Sequence, residues 1–282
     1  MRKPRKGHYV SLPPDFRSIR QKLPAECFLW ADGPEPKPTD LVHRETWDGI
    51  MHLPDDVAIR SSDHNGIRLS MLYSLWGDWI TATGDPGRPD ELFGCMLDAA
   101  DALQCATFLA VHGFYRAAMA ELRVAVELVL VGTYGNLKPN EPKYLNWKKS
   151  GGELPFGTIR NELAKALTGV SYGWIFEKEE FINRTYRKLC NFTHSRPDSS
   201  DGVLWRSNGP VYVHEMMIKI FLMAMSVYAI CYLLVRLSRP ISVLPRDSRI
   251  LFEEDWIPER EGIARAFEQL YREKATPVSL SP

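Results

Sequence analysis

The chain has 282 residues, of which 45% are hydrophobic and 25% charged, a composition typical of a soluble globular protein with one large domain or two smaller ones. Its 35 Lys and Arg residues balance 35 Asp and Glu residues, so the overall charge favours neither a nucleic acid nor a membrane as partner. The five cysteines lack zinc-binding spacing, and the basic amino terminus lacks the apolar stretch of a signal peptide. We therefore expect a cytoplasmic protein without a metal or cofactor.

The first 62 residues are rich in proline, which excludes long helices and central strands. They nevertheless carry Trp30 and Trp47, and large aromatic residues are not typical of a disordered tail. We interpret residues 1–62 as an irregular N-terminal extension packed on the main body, with a short strand expected at 57–60.

From residue 63 onward, apolar residues recur at three- and four-residue spacings, and glycine or proline follows most of these segments. The sequence therefore predicts a mainly α protein, with a helical bundle at 63–240 and a C-terminal helix and tail at 241–282. A polar loop is expected at 137–155. The seven predicted helices span about 65–84, 89–111, 114–135, 158–168, 177–194, 212–237 and 258–274.

The most apolar segment is the uncharged run IFLMAMSVYAICYLLV at 220–235. A membrane-spanning helix needs roughly 20 such residues, and this run is shorter. A helix that is apolar on all sides is also expected in the centre of a bundle, where neighbours surround it. We interpret this segment as a central helix and expect no membrane partner; a membrane-associated protein is the third alternative for the function.

Polar residues of the helix predicted at 177–194 recur on one side. Arg184, Arg187, Asn191 and His194 are spaced by three, four and three residues, which aligns them on one helical face. Residues 181–196 contain no Asp or Glu, so the face is predicted to be electropositive. Histidine exchanges protons near neutral pH, and arginine matches the oxygens of phosphate. The face suits metal-free RNA cleavage, in which the ribose 2′-hydroxyl attacks the adjacent phosphate; the alternative is a solvated basic surface.

Two segments and their order carry a resemblance to a known family. The segment ELRVAVE at 121–127 is followed by YRKLCNFTHS at 186–195 and then by the long apolar helix. Over about residues 90–237 this order resembles the HEPN superfamily, whose members are compact helical bundles that often dimerise. The resemblance implies a metal-independent endoribonuclease with Arg187 and His194 as catalytic residues, facing their copies across a two-fold axis of a homodimer.

The resemblance also implies roles for nearby residues and a biological context. Asn191 would orient the histidine or the phosphate, with Arg184 beside it; Arg123 and Glu127 would either support the site or pair within their own helix. The protein would be a toxin or phage-defence effector that cleaves RNA, with a partner protein or antitoxin. The alternative is a non-catalytic HEPN-like module that binds a protein or a small ligand. The six residues between Arg187 and His194, the neighbouring Lys188 and the tryptophan-bearing extension favour that alternative.

Overall fold

Helices dominate the part of the chain that the structure describes. The computed structural model describes residues 53–83, 90–149, 152–193, 210–239, 242–255 and 257–272. Within them the chain forms nine α-helices and no strand, which confirms the predicted mainly α class. The helices are α1 (Leu53–Thr83), α2 (Glu91–Val111), α3 (Tyr115–Leu137), α4 (Pro142–Lys148), α5 (Phe156–Ala166), α6 (Phe181–Thr193), α7 (His214–Ser238), α8 (Ile250–Glu253) and α9 (Arg260–Phe267). Short 3₁₀ segments lie at Gly173–Phe176 and Asp247–Arg249, and a π-helical turn at Glu268–Arg272 follows α9.

Helix α3 is the centre of the fold, with α2, α5, α6 and α7 packed against it. Its buried face includes Ala118 and Ala125, whose small side chains let neighbouring helices approach closely. At Gly132 a Cβ atom would lie 2.8 Å from Cδ1 of Leu92, so the contact between α3 and α2 requires a glycine here. Because α3 touches both α6 and α7, it links the candidate functional helix to the most deeply buried one.

Helix α7 is buried along almost its whole length, and the prediction of a central helix at this segment is confirmed. Helices α2, α3, α6, α8 and α9 all contact it, which explains why its sequence is apolar on every side. By length and composition alone, α2 and α7 are the two described helices that could cross a membrane; in α7, 83% of the most apolar window is buried inside the fold.

Helix α1 is interrupted at Asn65, whose backbone is non-helical (φ −134°, ψ 21°). The helix predicted from residue 65 begins at this break, an additional helical segment precedes it, and the strand predicted at 57–60 is wrong. Residues 53–62 are helical because Pro54 falls in the first turn, where a proline is tolerated, and two aspartates follow it there. Large side chains connect α1 to α2: the indole nitrogens of Trp76 and Trp79 donate to the carbonyl oxygens of Ala100 and Met96 at 3.1 and 3.0 Å. The rest of the predicted extension, residues 1–52, lies outside the described residues.

The segments after α3 and α7 also differ from expectation. The polar loop predicted at 137–155 contains α4, which places Tyr144 in the core. The C-terminal segment packs on the same core as the bundle, with Leu251, Ile263 and Leu270 buried. Its Ser248 donates from both the backbone nitrogen and Oγ to the Asp78 carboxylate, at 2.7 and 2.8 Å. Helices from both ends of the described chain therefore share one core.

Candidate functional site

Helix α6 has one buried side and one exposed side. Phe181, Ile182 and Leu189 are buried against the bundle, while Arg187 and Asn191 are exposed. The helix ends at Thr193, and the predicted catalytic His194 lies outside the described residues. Arg187 and Asn191 are four residues apart, about one turn of an α-helix, so they share the exposed side of α6.

Two cations of this helix are held by an acid from the C-terminal segment. Nε and Nη2 of Arg184 donate to Oε2 of Glu259 at 2.9 and 2.7 Å, and Nζ of Lys188 donates to Oε1 at 2.8 Å. Burial tends to raise the pKa of Glu259, but the hydrogen bonds from these two cations hold it below its usual value. One carboxylate therefore serves two cations, so the predicted electropositive face is weakened at Arg184 and Lys188 by an acid from a distant segment but keeps a net positive charge.

Arg187 is held much more loosely. Its Nη2 lies 3.2 Å from Oε2 of Glu179, and the two side chains are 48% and 74% exposed. An ion pair between such exposed groups contributes only about 0–1 kcal/mol, since water and salt screen it. A phosphate group could therefore replace Glu179 at little cost, and Arg187 is the cation of α6 that remains available to a ligand.

The predicted supporting residues Arg123 and Glu127 meet α6 through a tyrosine. Within α3, Nε of Arg123 lies 3.4 Å from Oε1 of Glu127, which confirms the pairing along the helix. The hydroxyl of Tyr186 donates to the same Oε1 at 2.5 Å, and its ring stacks on Phe156 with centroids 3.6 Å apart. Burial and the hydrogen bond to the carboxylate raise the pKa of Tyr186, so the phenol stays protonated and keeps α6 joined to α3.

A groove of about 710 Å³ opens beside this contact. Polar side chains line it from several segments, and Trp147 of α4 and Phe156 of α5 add aromatic rings. The polar side chains are those of Arg123, Glu127, Glu153 and Tyr186. The groove therefore combines one cation, two carboxylates and flat apolar surfaces within reach of one small ligand.

Sequence reasoning assigned no role in the site to Tyr186, Trp147 or Glu259, which all shape this region. The period of α6 places Tyr186 on the buried side, where a hydroxyl requires a partner, and that requirement was the signal available in the sequence. Nothing local connects Trp147 to the site, because α4 was expected to be loop. Glu259 is 71 residues from Lys188 and carries no signal of its pairing.

Among the described residues, no group of three or more His, Cys, Asp or Glu residues is placed to hold a metal ion.

No family model matches the chain, and no curated protein or solved structure matches it significantly. The fold and site thus define a mainly α helical protein with an exposed arginine on one helix and a polar–aromatic groove beside it.

Proposed function

We propose that the protein is a metal-independent endoribonuclease of HEPN type that acts as a homodimer. The observation that carries the proposal is the availability of Arg187 on the exposed side of α6, while Arg184 and Lys188 are bound to Glu259. Asn191, also exposed, lies one turn further along the same side. The sequence has a histidine at position 194, three residues after Asn191, and the proposal assigns it the role of general base.

In the proposed reaction, His194 takes the proton from a ribose 2′-hydroxyl. The 2′-oxygen then forms a bond to the adjacent phosphorus, and the bond from phosphorus to the 5′-oxygen of the next nucleotide breaks. The products are a 2′,3′-cyclic phosphate and a 5′-hydroxyl, whose proton comes from the partner subunit's His194. The Arg187 guanidinium stabilises the negative charge that builds on the phosphate oxygens.

The other predicted residues position this machinery. Arg184 holds α6 to the C-terminal segment through Glu259, and Asn191 lies on the exposed side, where its amide can orient the phosphate or the histidine. Arg123 and Glu127 hold α6 from the opposite side through Tyr186. We further propose that the enzyme is cytoplasmic and acts as a toxin or phage-defence effector restrained by a partner protein or antitoxin.

The test compares RNA cleavage by the wild-type chain with cleavage by Arg187→Ala and His194→Ala, in buffer containing EDTA. Each variant should lose about 10²-fold or more in rate, the usual contribution of a general base or a fixed charge. Arg246→Ala is the matched control, since Arg246 is exposed and far from α6 in sequence, and it should cleave like wild type. Equal cleavage by all four proteins would refute the assignment of these residues.

A second candidate is a non-catalytic module that binds a protein or small ligand. The observation that favours it is that Glu259 binds two of the three cations of α6 and so lowers the positive charge available to RNA. Intact RNA in the presence of the wild-type dimer, under conditions that release any antitoxin, would favour this candidate over the nuclease.

A further inference from the structure

The groove beside Tyr186 contains polar groups that the protein itself leaves unused. A carboxylate offers about four acceptor positions, and among the described residues Glu127 receives one hydrogen bond, from Tyr186. Nε of Arg123 is buried without a hydrogen bond, since its 3.4 Å approach to Glu127 does not form one. Arg123 and Glu127 are 25% and 33% exposed, so the exposed atoms of both side chains, rather than the buried Nε, remain open to the groove. The groove thus presents acceptors and donors side by side.

The surrounding walls suit a flat ring. Trp147 and the stacked pair of Phe156 and Tyr186 provide aromatic surfaces, and apolar side chains such as Val124 and Leu154 lie beside them. The acidic Glu153 also lines the groove. Unpaired RNA bases are recognised in this way, by stacking on aromatic rings and by hydrogen bonds to their edges. A volume of about 710 Å³ is in the range of small-molecule sites and has room for one nucleotide.

The polar pair distinguishes among the bases. Guanine has two adjacent N–H donors, N1 and N2, on one edge beside the carbonyl oxygen O6; each other RNA base offers a single donor group on that edge. A carboxylate accepts both donors together, and a guanidinium donates to O6. Glu127 and Arg123 match this arrangement, whereas uracil would leave part of the carboxylate without a donor.

We infer that the groove between α3, α4 and α6 binds an unpaired guanine base, with Glu127 accepting from its N1 and N2 groups and Arg123 donating to O6. The identification of this base as part of the RNA substrate rests on the proposed function. Tyr186 lines the groove and Arg187 is the next residue on α6. Consecutive residues of an α-helix point about 100° apart, so a base in the groove and a phosphate at the Arg187 guanidinium would lie on adjacent sides of α6. In an RNA chain that reaches both sides, cleavage would occur near the bound guanine.

The experiment is calorimetric binding of GMP, IMP, AMP, UMP, CMP and inorganic phosphate to the full chain. GMP should bind about tenfold or more tightly than AMP, UMP and CMP, as expected for one paired recognition of a base edge. IMP lacks the N2 amine and should bind more weakly than GMP, which tests the contact without altering the protein. Glu127→Gln should lose the preference for GMP, because its amide group opposes the N–H donors while its oxygen still accepts from Tyr186. Glu121→Gln, on the same helix but outside the groove, should behave like wild type.

Several outcomes would overturn the inference: no binding of GMP, equal binding of all nucleotides and of inorganic phosphate, tightest binding of another base, or equal binding of IMP and GMP. The binding experiment tests the base site and the cleavage experiment tests the nuclease, so the two proposals can be refuted separately. If GMP binds selectively and RNA stays uncut, the proposed nuclease activity is refuted and the guanine site is supported. If cleavage depends on Arg187, but GMP does not bind and the cut sites show no preference for guanine, the nuclease activity is supported and the guanine site is refuted.

Discussion

Replacing Glu259 with glutamine tests whether the C-terminal segment holds α6 in place. The carboxylate is 11% exposed and receives three hydrogen bonds, two from Arg184 and one from Lys188, at 2.7 to 2.9 Å. Glutamine has one acceptor oxygen, so it cannot serve both cations, and its amide nitrogen would face one of them. The variant should therefore weaken the attachment of α6 without changing the core.

The size of the effect follows from exposure. Arg184 and Lys188 are 40% and 50% exposed, so each ion pair belongs near the surface range of about 0–1 kcal/mol. Because Glu259 itself has low exposure, each of the two ion pairs belongs towards the top of that range. We therefore expect the two together to contribute about 1–2 kcal/mol to the free energy of unfolding, which the variant loses. For a domain of this size, that loss lowers Tm by about 2–8 °C.

Thermal unfolding followed by circular dichroism, at low and at high salt, measures the effect. Glu253→Gln is the control. It removes the same charge at an exposed residue that forms no ion pair with the described part of the chain. The difference between the two variants should shrink in 1 M NaCl, since salt screens the partly exposed cations. If Glu259→Gln unfolds at the same temperature as the control, the attachment of α6 does not depend on Glu259 and the reasoning is refuted.

Further predictions concern other contacts. Burial tends to raise the pKa of Asp90, but hydrogen bonds led by Arg239 hold that pKa below its ordinary value. Arg184 and Lys188 have the same effect on the pKa of Glu259. The stability that both acids contribute is complete above their unfolded pKa values and is lost as the pH falls through the folded values. Tm should therefore fall below about pH 4, less steeply in Asp90→Asn, and an unchanged slope would contradict this origin. Leu189→Ala, at a fully buried site, should lower the free energy of unfolding by about 2–5 kcal/mol in urea titrations; a loss near zero would mean that α6 is not packed as described. Gly135→Ala should reduce Tm, because its Cβ would overlap the ring of Tyr144, and Gly157→Ala, where space is open, is the control that should not share the loss.

The prolines show why some helices were missed in the sequence. Pro54 and Pro142 were interpreted as signs of irregular structure, yet each lies in the first turn of a helix. A proline there lacks only an N–H that the helix would leave unbonded, so it starts a helix as readily as it ends one. Where long apolar periods were present, as in α3 and α7, the helices were predicted within a few residues of their observed ends.

The candidate site was predictable in its local part. The spacing of α6 placed Arg184, Arg187 and Asn191 on one side and Leu189 on the other, as the structure has them. The charge of that side was not predictable, because the acid that neutralises Arg184 comes from a segment 75 residues later.

The sequence by itself determined that the protein is mainly helical, that α7 is buried, and that Arg184, Arg187 and Asn191 share one side of α6. These properties follow from helical periodicity, which acts over a few neighbouring residues. Only the tertiary structure decided that Glu259 binds Arg184 and leaves Arg187 available, and that Glu127 meets Tyr186 beside a groove. These contacts depend on the distances between side chains from separate segments, and those distances exist only once the helices have packed.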